Sequence, residues 1–219
     1  MVKPSMLDRL INKLTPRYQN LKYRTVFLIL FIVSLFVRLP FFFRDYIDRD
    51  ESTFILMGQS WVNGHLPYTE LWDLKPPITY LFFASIIYIF GKSFLAIRLV
   101  GALIVAITAF YTYKISLTAT TKKVGLWAAI GCVALLSMFG SLQGVMSEHI
   151  CMVFFMPALY LLLKKTSTFW YVVAGLLMGL SLMTNLNLAY VVLALGVSIL
   201  YTYFKEKEYG KGVLKSTLF

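Results

Sequence analysis

The chain has 219 residues, of which 59% are hydrophobic and only 14% are charged, with a mean hydropathy of +0.73. The apolar residues occur in long runs, which is typical of an integral membrane protein and excludes an ordinary soluble domain. The formal net charge of +11 comes from Lys and Arg scattered between those runs. It therefore favours membrane topology over nucleic-acid binding, which needs a continuous basic face.

The first apolar run, residues 25–37, continues past Arg38 to Phe43 and follows a basic stretch at residues 1–24. Its end, Arg-Leu-Pro-Phe-Phe-Phe, is not a small-residue cleavage site. We therefore predict an uncleaved first membrane helix preceded by a basic cytoplasmic N-terminus at 1–24.

The segment 44–93 follows this helix and is unusually acidic. Asp50-Glu51 opens a predicted short helix that runs to Trp61 and stops at Gly64. A carboxylate at a helix start is often only a cap. About thirty residues nevertheless contain several acids, prolines and aromatic residues. This composition is unusual for a loop that only connects two helices, and it predicts a functional site. Six of the ten acidic residues lie here: Asp45, Asp48, Asp50, Glu51, Glu70 and Asp73.

Later candidate spans are residues 78–90, 94–115, 124–142, 145–163, 168–184 and 186–204. The first is too short to cross, since 13 residues reach only about 20 Å as a helix. If it crossed, the basic pairs at 122–123 and 164–165 would lie outside, against the positive-inside rule. If it lies along the outer leaflet, every basic loop faces the cytoplasm, and the turn 141–148 emerges beside the acidic segment.

The predicted fold is therefore all-α and integral to the membrane, with about six transmembrane helices and one or two juxtamembrane helices in the first extracytoplasmic loop. The membrane domain would span residues 25–204, with the site loop at 44–93. A basic cytoplasmic tail would follow at 205–219. Only two cysteines and two histidines are present, so no transition-metal cluster is expected. Paired carboxylates leave a divalent cation open.

Several motifs occur in a fixed order and together resemble the N-terminal half of the GT-C glycosyltransferases, of the protein O-mannosyltransferase and aminoarabinose-transferase type. The resemblance covers roughly residues 25–190. The motifs are Arg38, Asp50-Glu51, Gly64-His-Leu-Pro-Tyr68, Trp72-Asp-Leu-Lys-Pro-Pro77, Arg98-Leu-Val-Gly and Ser147-Glu148.

The resemblance implies transfer of a sugar from a polyprenyl-phosphate donor to a lipid, glycan or protein acceptor at the outer face, with inversion. Asp50 would be the general base. Glu51 would orient the acceptor or stabilise the charge that develops on the sugar. Lys75 and Arg98 would contact the donor phosphate. On sequence alone, Lys75 fits equally well as a lysine that extends to the membrane interface, and Arg98 fits an interfacial anchor somewhat better than a phosphate contact.

The same resemblance makes a further set of residues candidate substrate contacts. Glu148 fits equally well as a helix N-terminal carboxylate, and the aromatic candidates fit an interfacial belt. In one departure from the pattern, Asn185 stands where many relatives place a basic residue. The candidate contacts are Glu148, His65, Tyr68, Trp72 and Asp73.

Two alternative functions stay open. The chain could be a small polytopic transporter subunit, or a non-catalytic scaffold or fragment of a glycosyltransferase. The gathering of charge in one loop argues against a transporter, which places charges within its spans. Chains of this family usually continue through further helices. This predicts either a fragment, an unusually short enzyme, or an enzyme completed by a partner chain. We expect a multi-pass protein of the bacterial inner membrane with its site on the extracytoplasmic side.

Overall fold

The computed structural model describes residues 21–164 and 167–205, apart from the side chain of Tyr203. Most of the predicted N-terminal stretch 1–24, Lys165 and the tail beyond Lys205 lie outside the described residues. Within the described ranges all regular structure is helical, as predicted, and no strand is found. The helices are α1 Tyr23–Arg38, α2 Arg49–Val62, α3 Pro77–Phe90, α4 Phe94–Ser116, α5 Lys122–Met138, α6 Ser147–Leu163, α7 Thr168–Leu182 and α8 Ala189–Lys205.

Two segments of the described chain are both long and apolar enough to cross a membrane, Tyr23–Phe41 and Phe94–Ser116. The first combines α1 with the 3₁₀ turn Leu39–Phe41. Four shorter apolar helices accompany them, at Pro77–Phe90, Ser147–Leu163, Thr168–Leu182 and Leu186–Thr202. Long apolar helices of this kind fit a membrane protein.

The predicted helices at 124–142 and 145–163 are each shorter than expected where they approach one another. The first ends at Met138, because Phe139 is extended (φ −110°, ψ 122°) and Gly140 has a φ of +51° that favours glycine. A 3₁₀ turn, Gly140–Gln143, follows, and α6 begins only at Ser147. Within residues 142–146, called here the turn, the carbonyls of residues 142–144 and the Val145 N–H therefore make no helical hydrogen bond.

Helix α1 runs antiparallel to α4, whereas α4 and α6 run parallel, and the ring contacts between them define one end of the bundle. The Tyr23 ring at the start of α1 lies 6.2 Å from that of Phe110 and 6.4 Å from that of Tyr113, near the end of α4. Tyr111 of α4 lies 5.9 Å from Tyr160 near the end of α6. We call this the basic end, since it also carries Lys114, Lys122, Lys123 and Lys164. The loop end, opposite, carries the segment 44–93 and the turn.

Helix α3 begins and ends at the loop end. The backbone N–H of Ile78 donates to the Met183 carbonyl (3.1 Å), and the Thr79 hydroxyl donates to the Thr184 carbonyl (2.8 Å), just beyond the last residue of α7. After Phe90, a glycine with a φ of +71° turns the chain directly into α4. The body of α3 packs against α2, where Gly58 leaves no room for a side chain beside Phe83.

The buried hydrogen bond from Thr79 gives a stability prediction. Thr79→Val keeps the shape of the side chain but leaves the Thr184 carbonyl without its partner, which should cost about 1–3 kcal/mol. We expect a lower apparent Tm in detergent, followed by tryptophan fluorescence. Thr118→Val, which removes an exposed hydroxyl that donates to Ile115, is the matched control and should change stability by less than about 0.5 kcal/mol. Equal effects of the two substitutions would contradict the assignment.

Candidate functional site

The carboxylate of Glu51 is buried at the loop end, where its side chain is only 2% exposed. Its Oε1 accepts from Nη1 of Arg98, in an ion pair, and from the backbone N–H of Val145 at 2.6 Å. Arg98 lies on the second turn of α4 and is itself 1% exposed. A buried charge is stable only when it is paired and hydrogen-bonded, and Glu51 is both. The start of α2, the start of α4 and the turn therefore meet at one carboxylate.

Arg38, the last residue of α1, binds the other side of the same turn. Its guanidinium donates to the carbonyls of Leu142 (3.1 Å), Gln143 (3.2 Å) and Gly144 (2.6 Å), and to that of Leu136 in α5 (3.1 Å). A planar guanidinium with five N–H groups is suited to such a set of acceptors. Arg38, a motif residue at the end of the first apolar run, is therefore a buried anchor for the backbone of the turn.

His149 is buried beside Arg38 and completes the support of the turn. Its Nδ1 accepts from the Met146 N–H at 3.0 Å, and its Nε2 lies 2.7 Å from the Leu136 carbonyl. Since Nδ1 accepts and Nε2 faces an acceptor, the hydrogen-bond pattern assigns the neutral tautomer protonated on Nε2. His149 therefore caps α6 rather than facing a ligand.

A second polar cluster forms around Glu148, one residue into α6. Lys75 Nζ lies 3.8 Å from Glu148 Oε1, which also accepts from the Asn185 amide at 3.0 Å. The Ser147 hydroxyl donates to Glu148 Oε2 at 3.2 Å and accepts from the Asn185 amide at 3.2 Å. The structure thus brings together Lys75 and Glu148, two residues singled out by the sequence. It places Asn185, the departure from the family pattern, beside them.

Two tyrosines hold the backbone of Lys75. Tyr68 Oη donates to the Lys75 carbonyl at 2.6 Å, and Tyr80 Oη lies 2.9 Å from that carbonyl and 3.0 Å from Asp73 Oδ2. Burial, together with the neighbouring Asp73 carboxylate, raises the pKa of Tyr80 and that of Tyr68. Both hydroxyls therefore stay protonated donors at physiological pH. Tyr68 has a φ of 69°, a left-handed backbone conformation that is uncommon outside glycine. Such residues cluster in loops at functional sites.

Asp50 lies next to Glu51 in the chain, but its side chain is exposed. The helix cap is supplied by Asp48, whose Oδ1 accepts from the Asp50 N–H at 2.9 Å. Within the described residues the Asp50 carboxylate has no hydrogen bond or ion pair. The capping interpretation therefore applies to Asp48, and Asp50 is a solvent-facing carboxylate at the loop end.

Two predicted site residues lie apart from these clusters. His65 pairs with Glu70 (Nδ1 to Oε1, 2.9 Å) on the exposed part of the segment 44–93, and Trp72 is 72% exposed there. Arg98 binds Glu51, so the two cations predicted to share a phosphate belong to separate clusters. A search of the described ranges for groups of three or more potential metal ligands finds none.

An apolar cavity of about 460 Å³ opens between α3 and the helices α4, α6 and α7. It begins one turn from Lys75 in the chain and has the size of a small-molecule site. Its apolar lining could hold a lipid chain but not a polar ligand. The lining includes Ile78, Phe82, Val100, Ile150, Phe154 and Leu180.

Sequence reasoning missed the roles of Arg38, Tyr80 and Asn185. The Arg38 guanidinium binds residues 98 or more positions away in the chain, and the Asn185 amide donates to residues 37 or more positions away. Their signal in the sequence is a polar residue at the end of an apolar run, which also marks any membrane interface. Tyr80 carries no such signal, because an aromatic residue in an apolar helix is ordinary.

Comparison with known proteins gives one match. Residues 74–214 match the model of a family described as dolichyl-phosphate-mannose-protein mannosyltransferase. This range is well over half of the chain. It includes Lys75, Arg98 and Glu148 but begins after Asp50 and Glu51. Searches of curated proteins and of solved structures found no match. The family match confirms the resemblance drawn from the motifs, and the chain belongs to the dolichyl-phosphate-mannose-protein mannosyltransferase family, which points to a membrane glycosyltransferase.

Proposed function

We propose that this protein transfers a sugar from a polyprenyl-phosphate donor to an acceptor hydroxyl at the extracytoplasmic face of the cell membrane, with inversion. The observation that carries the proposal is the placement of an unpaired, exposed carboxylate, Asp50, at the same end of the bundle as the Lys75–Glu148 cluster. A base and a cation for a phosphate leaving group are the two groups that this reaction needs. The name of the family, which specifies a dolichyl-phosphate-linked mannose, supports the class of donor.

In the proposed reaction, Asp50 removes the proton from the acceptor hydroxyl as its oxygen bonds to the anomeric carbon. The bond between that carbon and the phosphate oxygen breaks, and the electron pair leaves with the polyprenyl phosphate. Lys75 stabilises the negative charge on this leaving group. Glu148, Asp73 and Tyr68 would contact the sugar or the acceptor. The apolar cavity beside α3 would hold the first part of the polyprenyl chain.

We propose six membrane spans, formed by every described helix except α2 and α3. Three observations support this count. Both ends of α3 lie at the loop end. Every acidic residue of the described part of the chain also lies at the loop end, whereas Lys22, Arg24, Lys114, Lys122, Lys123, Lys164 and Lys205 lie at the basic end. The positive-inside rule then makes the basic end cytoplasmic and the loop end extracytoplasmic.

Asp50→Asn in the full-length protein tests the base. The amide cannot accept the proton, so we expect kcat to fall by about 10²- to 10⁴-fold. The affinity for the donor and the apparent Tm should stay unchanged, because Asp50 has no side-chain partner in the described structure. Asp45→Asn, an exposed acid in the same segment, is the matched control and should retain activity. Unimpaired transfer by Asp50→Asn would rule out this assignment.

Lys75→Ala tests the phosphate contact. Loss of a charge-assisted contact of about 1.5–3 kcal/mol corresponds to roughly 10- to 100-fold weaker binding of the polyprenyl-phosphate donor. Binding can be measured by titration of the detergent-purified protein. Lys92→Ala removes a positive charge from an exposed position at the same end of the bundle and should leave affinity unchanged. If both variants bind the donor like the parent, Lys75 has no role in phosphate binding.

Cysteine accessibility tests the span count. In a background with Cys132→Ala and Cys151→Ala, single cysteines replace the exposed residues Thr120 and Ser141, which lie at opposite ends of the bundle. Six spans predict that a membrane-impermeant maleimide labels intact cells at position 141, and labels position 120 only after permeabilisation. External labelling at position 120 would show that α3 crosses the membrane.

A further inference from the structure

The turn at residues 142–146 is bound from both sides by buried charged side chains. On one side the Glu51 carboxylate accepts from the Val145 N–H, and on the other the Arg38 guanidinium donates to three successive carbonyls. These are backbone groups that no helix satisfies, so the two side chains replace the missing helical hydrogen bonds. Residues of α1 and α2 therefore help to hold the conformation of the turn.

Two glycines allow the turn to pack closely against Glu51 and against α4. A Cβ at position 144 would lie 2.9 Å from both Cδ and Oε2 of Glu51, and a Cβ at position 101 would overlap Cγ2 of Val145. Neither glycine has a positive φ, so backbone freedom does not explain them. Both positions instead require a residue without a side chain, because the turn packs directly on the Glu51 carboxylate and on α4.

The turn connects the two halves of the proposed site. Glu51 is bonded in the chain to Asp50, the proposed base. Two residues after Val145, α6 begins with Ser147 and then Glu148, which pairs with Lys75. A shift of the turn would change the distance between the base and the donor side of the site.

We propose that Arg38 and Glu51 are positioning residues, which bind the turn from its two sides and so fix Asp50 relative to the Glu148–Lys75 cluster. This inference rests on the proposed function. It assigns Glu51 a role that does not require contact with sugar or acceptor, because its Oε1 is already bound to Arg98 and Val145 and the side chain is 2% exposed.

Gly144→Ala tests the proposal without removing any ionisable group. The added methyl displaces the turn from the Glu51 carboxylate, and a displacement near 1 Å can reduce turnover about 100-fold. We expect kcat to fall by about 10- to 100-fold, with the donor KM changed by less than about threefold, because Lys75 and the apolar cavity stay in place. Gly131→Ala, at an α5 position with open space around it, is the matched control and should retain both constants.

A double-mutant cycle separates positioning from direct catalysis. Glu51→Asp withdraws the carboxyl group by one methylene and makes room for the new methyl group at position 144. Positioning predicts that the double variant Glu51→Asp/Gly144→Ala is no less active than the weaker single variant. If the activity losses of the two single variants multiply in the double variant, Glu51 acts independently of the turn. That result would overturn the proposal. A kcat of Gly144→Ala within twofold of the parent would overturn it as well.

A measurement that needs no turnover distinguishes failure of this proposal from failure of the proposed function. Spin labels at the exposed positions 49, in α2, and 187, beyond α7, report the distance between the two sides of the site. In the background without native cysteines, Gly144→Ala should shift or broaden the distance distribution, whereas Gly131→Ala should not. An unchanged distribution in Gly144→Ala would overturn the positioning role whether or not the protein transfers a sugar.

Discussion

The buried carboxylate of Glu51 is the constraint on which the arrangement of the loop end depends. A charge in a low-dielectric surrounding is stable only with partners, and loss of one partner of a buried pair costs about 3–5 kcal/mol. The partners of Glu51 come from α4 and from the turn, and Arg38 brings α1 to the same place. These hydrogen bonds with strict geometry therefore lie beside the buried apolar cluster in which α2, α3, α4 and the turn also pack together.

This constraint divides the two acids of the Asp50-Glu51 pair. One faces inward and is fully engaged, whereas the other faces solvent and has no partner in the described structure. Adjacent helical residues point about 100° apart, so neighbouring acids readily acquire different surroundings. The inward residue fixes the orientation of the first turn of α2 and thereby that of its outward neighbour. A pair of acids in the sequence thus corresponds to one structural and one exposed group.

The sequence was sufficient for the helical class, for the short helix α2 with its stop at Gly64, and for the placement of Lys75 and Glu148 at one end of the bundle. These follow from local sequence patterns and from the positive-inside rule applied to the basic loops. It was not sufficient for the helix ends beside the predicted turn 141–148, since one span was predicted to run to residue 142 and the next to begin at residue 145. The helix ends at Met138, before the positive φ of Gly140, and Arg38 and Glu51, about a hundred residues earlier, bind the backbone that follows. No local pattern indicates those two partners.

The contacts of α3 have a consequence for synthesis of the chain. Thr79 and its acceptor Thr184 are separated by 105 residues, which a ribosome adds in about 5–20 s at 5–20 residues per second. During that interval the acidic segment has already emerged, but the groups that anchor α3 have not. The anchor of α3 therefore forms only after α7 has been synthesised, and a nascent chain halted before that point would hold Lys75 without it.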